Sequence, residues 1–253
     1  MIADVELIQV PEWADFLWLR HGFSARGGGH TTVYGGGDLN LGFTAADSRE
    51  CVLLNRETAI AAVATGAALA TVRQVHGVEV IAVDAASEPV EADGMMTNRM
   101  GLLLGIQVAD CVPLLLADTR LRAVAAVHAG WRGTVGGIAS NAVARLGEKF
   151  GSQAKDLVAA IGPSIGPCCY SVGEELIQRV GWDSGLLECR EDAIYFDLWE
   201  ANRRQLRSAG VMNIQVLGLC TACSRSAGQH RFFSHRAEAG VTGRAMGIIG
   251  LSL

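Results

Sequence analysis

Short segments that are largely apolar recur along the chain, and they limit its fold more than any other feature. Several are apolar throughout, as strands must be when both faces of their sheet are covered. The predicted strands are residues 16–23, 71–75, 78–83, 102–108, 113–117, 123–127, 157–161, 214–219 and 245–251. This pattern predicts sheets that are enclosed by other layers of the fold.

Three helices are predicted by capping boxes, in which a short polar residue precedes a Glu by three positions. Asp47, Ser171 and Asp197 begin these boxes, and the last helix runs to Gly210, a residue type that commonly ends helices. A further helix is predicted over residues 135–150.

The order of these elements favours a mixed fold over a doubly wound parallel sheet. Strands and helices do not alternate regularly, and residues 75–78 are typical of a tight turn between two strands. No repeat and no Pro- or Ser-rich linker divides the chain. We therefore predict an α/β fold of the mixed α+β kind, in which residues 1–253 form a single domain with mixed sheets flanked by helices.

Charge and hydropathy exclude two classes of partner. The formal net charge is -5 and no basic stripe suits a phosphate backbone, so we expect no nucleic acid partner. The longest nearly apolar stretch, residues 59–72, is shorter than the ~18–20 residues of a membrane span, so we expect no membrane insertion. Asp4 and Glu6 stand where a secretory signal would carry basic residues, which predicts a cytoplasmic location. The expected partner is a small-molecule substrate, and no obligate protein partner is evident.

Three residues that can bind a metal lie at the ends of predicted strands: His76, Cys111 and His128. Two imidazoles and one thiolate form a soft ligand set that suits zinc, and catalytic zinc typically keeps three protein ligands and one open position. Two other interpretations are open at this point. Each residue could have a separate structural role, or Cys111 could be a nucleophile whose proton is taken by one of the histidines.

Two glycine-containing loops are candidates for anion binding. Residues 128–134 follow an apolar strand and precede a predicted helix, so their amides and Arg132 could bind phosphate. Residues 24–30 also follow a strand and offer Arg26. The structural alternatives are a helix entry turn for the first loop and a flexible surface loop for the second.

The cysteines are expected to be reduced, because seven in a chain without an export signal do not indicate a disulfide scaffold. Cys220 and Cys223 have the spacing of a zinc or redox pair. A structural zinc site needs a second pair, and the adjacent Cys168 and Cys169 lack the usual spacing, so we predict structural residues without a metal. Residues 162–166 match the G-x-S-x-G nucleophile motif, but a Gly-Pro pair interrupts the helix that must follow, so we predict a rigid turn.

Several segments, taken in their order along the chain, resemble a known family of proteins. They are residues 21–24, 74–77, 109–113, 128–133, 162–166 with Tyr170, 220–221 and 232–236. Together they resemble the YfiH-like family, whose members are called laccase-domain proteins, multicopper polyphenol oxidases or purine nucleoside phosphorylases. The resemblance spans nearly the whole chain. It implies an α/β domain similar to the catalytic domain of cytotoxic necrotizing factor, and a zinc ion held by His76, Cys111 and His128.

The family resemblance implies a phosphorylase function and suggests roles for the candidate residues. The expected reaction is zinc-dependent cleavage of adenosine, inosine, guanosine or methylthioadenosine with phosphate, with adenosine deamination as a side activity. Beyond the three metal ligands, phosphorolysis requires an anion site and a proton donor. We predict that Arg26 or Arg132 binds phosphate and that Asp110 or His235 acts as the acid or base.

Other functions of the family remain as alternatives. The oxidase name would require several copper ions, and the six histidines contain no H-x-H pair, so copper is a weaker prediction than zinc. A cytoplasmic hydrolase that edits peptidoglycan precursors could use Cys111 or a zinc-bound water against an amide. A non-enzymatic zinc-binding module is a further alternative. One departure from the family is Ala237, which follows Arg236 where members often have a second Arg.

Overall fold

The strands of the protein form two large sheets, one smaller sheet and one hairpin within residues 5–181 and 184–252, which the computed structural model describes. The first large sheet contains, in spatial order, β1 (Leu7–Ile8), β2 (Leu19–Ser24), β17 (Ala245–Leu251), β7 (Leu102–Val108) and β4 (Ala68–Thr71). β4 pairs in parallel with β7, while the other neighbours are antiparallel, so the sheet is mixed.

The second large sheet is also mixed, with antiparallel central strands and parallel pairing at both edges. Its spatial order is β14 (Asn213–Val216), β10 (Leu157–Ile161), β8 (Val112–Asp118), β9 (Val124–Ala129), β6 (Gly94–Thr97) and β5 (Val80–Ala82). The smaller elements are the sheet β11 (Ser171–Val172), β13 (Ala193–Phe196) and β12 (Leu187–Arg190), the hairpin β15 (Arg225–Ser226) and β16 (Gln229–His230), and β3 (Gly27–Thr31).

The two large sheets pack face to face, which explains why their strands are apolar on both sides. One buried cluster joins Leu104 of β7 to Leu115 of β8 across the two sheets. Helices cover the outer faces: α1 (Arg49–Val63) packs on the first sheet, and α3 (Ile138–Phe150) and α5 (Leu198–Ser208) pack on the second. The layering is therefore helix, sheet, sheet, helix, and the predicted mixed α/β class with helices flanking mixed sheets is confirmed.

Most predicted strands overlap observed ones, and residues 102–108, 157–161 and 245–251 match in full. The strand predicted over residues 71–75 is displaced, because β4 ends at Thr71. The tight turn predicted at residues 75–78 is wrong. β4 and β5 belong to different sheets, and each pairs in parallel with another neighbour, so the chain between them crosses from one sheet to the other. A local run of apolar residues does not encode which sheet a strand joins.

The capping boxes predicted at Asp47 and Asp197 lie at the starts of α1 and α5. At Asp197 the carboxylate accepts a hydrogen bond from the backbone N–H of Glu200 (2.8 Å), as the sequence predicts. α1 is capped by Ser48, one residue after the predicted Asp47.

Two other helix predictions need correction. Ser171 lies in β11 and does not cap α4 (Glu174–Val180), so that capping box is wrong. The helix predicted over residues 135–150 is divided into α2 (Trp131–Val135) and α3. Gly137 separates them because its φ of 86° is left-handed and interrupts the helical backbone.

No helix among the described residues is both long enough and apolar enough to cross a membrane. Residues 1–4, which contribute to the argument for a cytoplasmic location, lie outside the described residues. The cytoplasmic location, the single domain over residues 1–253 and the similarity to cytotoxic necrotizing factor stay predictions.

Candidate functional site

His76, Cys111 and His128 come together from three separate parts of the fold, and we call them the His–Cys–His cluster. Cys111 lies in the turn between β7 and β8, His128 lies on β9 beside β8, and His76 lies in the segment that crosses between the sheets. One ligand atom from each residue lies within 4.8 Å of the others, and His76 Nε2 is 3.9 Å from Cys111 Sγ. The structure thus assembles the predicted ligand set, while its occupation by a metal stays a prediction.

A buried carboxylate, Asp93, holds both histidines of this cluster. Its Oδ1 accepts hydrogen bonds from His128 Nδ1 (2.8 Å) and from the backbone N–H of His76 (2.9 Å). Its Oδ2 accepts from the backbone N–H groups of Gly77 (2.7 Å) and Val75 (3.2 Å). A carboxylate behind a ligating histidine fixes the ring and leaves Nε2 for the metal.

The sequence analysis missed Asp93 because no short motif links it to the ligands. It is 35 residues from His128 in the chain, and only the pairing of β6 with β9 brings the two together. The one local signal is an Asp-Gly pair at the start of β6. That pair is also typical of an ordinary turn, so it does not distinguish a site residue.

The charges in the cluster favour an ion pair between Cys111 and His128. Burial opposes ionisation of Cys111, but the charges and hydrogen bonds of His128 and His76 outweigh it and lower the pKa of the thiol to about 6. Burial also opposes the charged form of His128, but Cys111 and Asp93 raise its pKa to about 9. Near neutral pH the metal-free pair is therefore a thiolate and an imidazolium, and a metal cation that binds there replaces the imidazolium proton.

Gly130 packs directly against the His–Cys–His cluster. A Cβ at this position would lie 2.9 Å from His76 Cδ2 and 3.1 Å from Cys111 Sγ, closer than side chains normally approach. The backbone φ of -69° is ordinary, so the close approach is what requires glycine here. The donor set, the carboxylate behind it and this tight packing fit a tetrahedral ion such as zinc with one position open.

The His–Cys–His cluster lies in a cleft with a volume of about 960 Å³, a size typical of small-molecule sites. The cleft is lined by Phe43, Arg56, Thr71, Val72, Arg73, Gln74, His76, Pro89, Gln107, Val108, Ala109, Asp110, Cys111, His128, Ile165, Tyr170, His235, Arg236 and Arg244. All predicted catalytic residues are in this set. The two predicted phosphate ligands, Arg26 and Arg132, are not.

Both carboxylate oxygens of Asp110 are already occupied by hydrogen bonds. Oδ1 accepts from Thr221 Oγ1 (2.6 Å) and Ser234 Oγ (2.7 Å), and Oδ2 accepts from the backbone N–H of Arg236 (2.7 Å). The φ of Asp110 is 89°, a left-handed conformation that a non-glycine residue adopts when its surroundings impose it. These contacts favour a positioning role for Asp110, and they leave the exposed ring of His235 as the better candidate acid or base.

Neither predicted phosphate ligand is available at the cleft. Arg26 has a side chain that is only 10% exposed, and it forms ion pairs with Glu238 (2.6 Å) and Asp38 (3.2 Å). Two carboxylates compensate its charge, so the predicted phosphate role does not fit its surroundings. Arg132 is exposed, lies 3.5 Å from Glu175 and is outside the cleft lining.

Four other arginines, which the sequence analysis did not propose as anion ligands, line the cleft: Arg56, Arg73, Arg236 and Arg244. Arg73 is exposed and forms an ion pair with Glu91 (3.1 Å). Within the described residues the side chains of Arg56, Arg236 and Arg244 form no ion pair with a carboxylate, and their hydrogen bonds go to carbonyl and hydroxyl oxygens. Burial, together with the neighbouring Arg49, lowers the pKa of Arg56 to about 10, so it is still charged near neutral pH. The cleft thus offers positive charge that no protein carboxylate neutralises.

The turn at residues 162–166 behaves as a rigid support. Ser164 is fully buried, and its hydroxyl donates to the Gly162 carbonyl (3.1 Å) and accepts from Trp199 Nε1 (2.6 Å). A serine held in this way is not placed as a nucleophile, and it does not line the cleft.

The spacing of Cys168 and Cys169 does not keep them apart from Cys220 and Cys223, while the absence of a metal from these cysteines stays a prediction. The four sulfur atoms lie within 4.8 Å of one another, and we call them the four-cysteine cluster. Spacing rules describe two ligands that come from one short loop. Here the two pairs meet from different loops, which local spacing cannot reveal.

Comparison with known proteins agrees with the resemblance seen in the sequence. Residues 20–252 match the family model described as multi-copper polyphenol oxidoreductase laccase. The chain is 36% identical to purine nucleoside phosphorylase YlmD of Geobacillus stearothermophilus over 92% of this chain and 94% of that protein. It is 39% identical to a purine nucleoside phosphorylase of Deinococcus radiodurans over 91% of this chain and 88% of that protein. The crystal structure of the hypothetical protein YfiH of Bacillus licheniformis aligns with a TM-score of 0.88 at 31% identity, covering 99% of this chain and 97% of that one.

Proposed function

The chain belongs to the family described as multi-copper polyphenol oxidoreductase laccase, and from this membership and the cleft we propose that it cleaves purine nucleosides with phosphate. The names of its relatives support a nucleoside-processing enzyme at the level of the family. The observation that carries the specific proposal is the cleft itself. It combines a three-ligand cluster with three arginines, Arg56, Arg236 and Arg244, whose side chains have no carboxylate partner among the described residues.

We propose zinc as the metal, held by Cys111 Sγ and by the Nε2 atoms of His76 and His128. A bound zinc ion would supply positive charge that can position an anionic substrate such as phosphate beside the reacting carbon. The ligands favour zinc over a multicopper site, because such a site needs many imidazoles. Within the described residues, His76 and His128 are the only two histidines of the chain's six that converge in a ligand group.

In this proposal Arg56, Arg236 and Arg244 bind the phosphate. Arginine suits the role because its planar guanidinium can donate two parallel hydrogen bonds to phosphate oxygens. Arg236 is held in place by its own backbone N–H, which donates to Asp110, and by Nη1, which donates to Ser171 Oγ (2.8 Å). The Asp110 carboxylate therefore contributes to phosphate binding by fixing the backbone of Arg236.

The proposed reaction exchanges one bond at the anomeric carbon of the ribose for another. A phosphate oxygen bonds to this carbon as the bond from the carbon to the purine nitrogen breaks, and the electron pair stays with the purine. His235 donates a proton to the purine, giving the free base and ribose 1-phosphate. His235 suits this role because it lines the cleft and, within the described residues, its ring nitrogens have no hydrogen-bond partner.

The expected substrates are adenosine, inosine, guanosine and methylthioadenosine, which share a purine joined to a ribose carbon. They differ in groups at the ends of the molecule, and a cleft of about 960 Å³ can accommodate all four. Attack of water on the amino-bearing carbon of adenosine would give deamination as a side activity in the same cleft. We expect this activity to be independent of phosphate.

A second candidate function rests on the ion pair between Cys111 and His128. With Asp93 bonded to His128 Nδ1 at 2.8 Å, these residues form a Cys-His-Asp arrangement of the kind that activates a thiolate nucleophile. In the metal-free protein this arrangement could attack the amide of a peptidoglycan precursor. The two candidates differ in their need for metal, since zinc on the thiolate would block the nucleophile.

The proposal is tested by incubating the purified protein with inosine, with and without phosphate, before and after chelation. We expect base release that requires both phosphate and metal, with ribose 1-phosphate as the second product. Arg132→Ala is a control that should retain activity, because Arg132 lies outside the cleft lining. Amide cleavage of a UDP-muramoyl peptide that increases on chelation, without any base release, would favour the second candidate.

A further inference from the structure

The four-cysteine cluster has the dimensions of a second metal site. Its sulfur atoms lie within 4.8 Å of one another, and Cys168 Sγ is 3.7 Å from Cys223 Sγ. Sulfur atoms around a tetrahedral zinc ion with bonds of about 2.3 Å are about 3.8 Å apart. The separation of Cys168 and Cys223 therefore matches one edge of such a tetrahedron, and it greatly exceeds a disulfide bond of about 2.05 Å.

The cluster joins two loops that are distant in sequence. One cysteine pair lies between β10 and β11 and the other lies between β14 and β15. Next to the sulfurs, Ser164 forms an isolated bridge with Cys220, and Gly166 donates its backbone N–H to Cys220 Sγ at 3.3 Å. A hydrogen bond to sulfur favours the thiolate, which is the form that binds metal.

The backbone at Gly166 packs closely against the four-cysteine cluster. A Cβ on Gly166 would lie 2.7 Å from Trp199 Cη2 and 3.3 Å from Cys168 Sγ. Cys220 is buried, whereas Cys168 and Cys223 are exposed, so a metal can enter from solvent. None of the four cysteines lines the cleft, so a metal here would have four protein ligands and no position for substrate.

We propose that the four thiolates bind a structural zinc ion that fixes one wall of the cleft. Binding of Zn²⁺ displaces the four thiol protons to solvent and involves no oxidation or reduction. The wall includes Tyr170, which directly follows Cys169 in the chain and lines the cleft. Thr221, which directly follows Cys220, donates to Asp110 (2.6 Å). The ion thus stabilises the two loops beside the substrate site, while the reaction depends on the residues of the cleft.

The first test measures the number of zinc ions bound per protein chain by inductively coupled plasma mass spectrometry. If both clusters bind zinc, the wild-type protein holds about two equivalents per chain, and the double variant Cys220→Ser/Cys223→Ser holds about one. The variant His76→Ala/His128→Ala should also hold about one zinc equivalent, but it should lose the ion of the His–Cys–His cluster and keep the ion of the four-cysteine cluster. Cys189→Ser is the matched control, because this exposed cysteine belongs to neither cluster. Unchanged zinc in Cys220→Ser/Cys223→Ser would overturn the proposal.

The second test uses the unmodified sequence and so does not depend on the folding of a variant. With zinc bound, Cys168 and Cys223 should resist alkylation by iodoacetamide despite their exposure, and they should react after chelation. Cys189 should react in both states. Equal alkylation of Cys168 and Cys223 before and after chelation, or an intact mass that shows a disulfide between them, would overturn the proposal.

These tests of the four-cysteine cluster can fail independently of the tests of phosphorolysis. A protein that holds zinc in the four-cysteine cluster but releases no base from inosine would overturn phosphorolysis and leave this inference standing. If the protein performs phosphorolysis while Cys168 and Cys223 are alkylated equally before and after chelation, the four-cysteine zinc site is overturned and the proposed function stands.

Discussion

The His–Cys–His cluster and the four-cysteine cluster are both assembled from residues that are distant in sequence, yet their surroundings differ. The first lies in the cleft, has the buried carboxylate of Asp93 behind it and has charged arginines nearby. The second lies outside the cleft lining and has a ligand atom for each corner of a tetrahedron. Three ligands facing a cleft leave a position for chemistry, whereas four ligands close the site. The surroundings and the number of ligands, more than the presence of cysteine, therefore distinguish the two roles.

The largest expected effect separates the two clusters directly. His128→Ala removes a ligand of the first cluster, and we expect kcat/KM for inosine to fall by at least about 10³-fold, because the positive charge of the bound metal is lost from the cleft. Cys220→Ser/Cys223→Ser should change kcat by less than about threefold and lower Tm by about 5–10 °C, the shift expected for about 2–3 kcal/mol in a chain of this size. Activity and Tm of both variants provide the check. If Cys220→Ser/Cys223→Ser loses activity while zinc is still bound to the His–Cys–His cluster, the four-cysteine cluster is not purely structural and the two clusters do not differ in role as argued.

The next effect concerns the arginines of the cleft. Arg244→Ala should lower kcat/KM by about 10²–10³-fold if its charge faces the phosphate in a water-poor site. Arg132→Ala is the matched control, since this exposed arginine should matter less than about twofold. Steady-state kinetics at varied phosphate concentration measures both. Equal, small effects in the two variants would show that the cleft arginines do not bind phosphate.

A smaller effect is expected from the carboxylate behind the histidines. Asp93→Asn should weaken zinc binding at the first cluster by about 10–100-fold, because this carboxylate orients His128 and raises its basicity as a ligand. Zinc affinity measured by competition with a chelator tests this. Zinc in the four-cysteine cluster should be unaffected, and an equal loss from both clusters would point to general unfolding.

The smallest expected effect is a pH dependence of the thermal stability of the metal-free protein. The pKa of Cys111 falls from 9.0 to about 6, so its contribution to stability is full above pH 9 and is lost as pH falls through about 6. The pKa of His128 rises from 6.5 to about 9, so its contribution is full below pH 6.5 and is lost as pH rises through about 9. The Tm difference between wild type and Cys111→Ala, both without metal, should therefore be largest between about pH 6 and 9. A difference that stays constant from acid to alkaline pH would contradict the ion pair.

Sequence patterns predicted the enclosed sheets well, since strands such as 102–108 and 245–251 are buried on both faces and are therefore apolar throughout. They also placed His76, Cys111 and His128 at strand ends, and the family resemblance implied that the three form one ligand set, which the structure brings together. They failed for Asp93, and for the meeting of Cys168 with Cys223, because these contacts depend on strand pairing and loop packing across the fold.

The positions of the predicted phosphate ligands, Arg26 and Arg132, outside the cleft lining have a related cause. Arg26 follows a strand and precedes glycines, which is typical of an anion loop, but its two carboxylate partners are Asp38 and Glu238. The partner Glu238 is 212 residues away in the chain. Whether an arginine is free to bind an anion depends on partners that only the folded structure reveals.

The most direct test of the central claim is to follow inosine turnover by ³¹P nuclear magnetic resonance in phosphate buffer. Phosphorolysis in the cleft predicts that one ribose 1-phosphate appears for each hypoxanthine released, and that both signals are absent from His128→Ala. Release of hypoxanthine with free ribose and no ribose 1-phosphate would contradict the account, because the nucleophile would then be water.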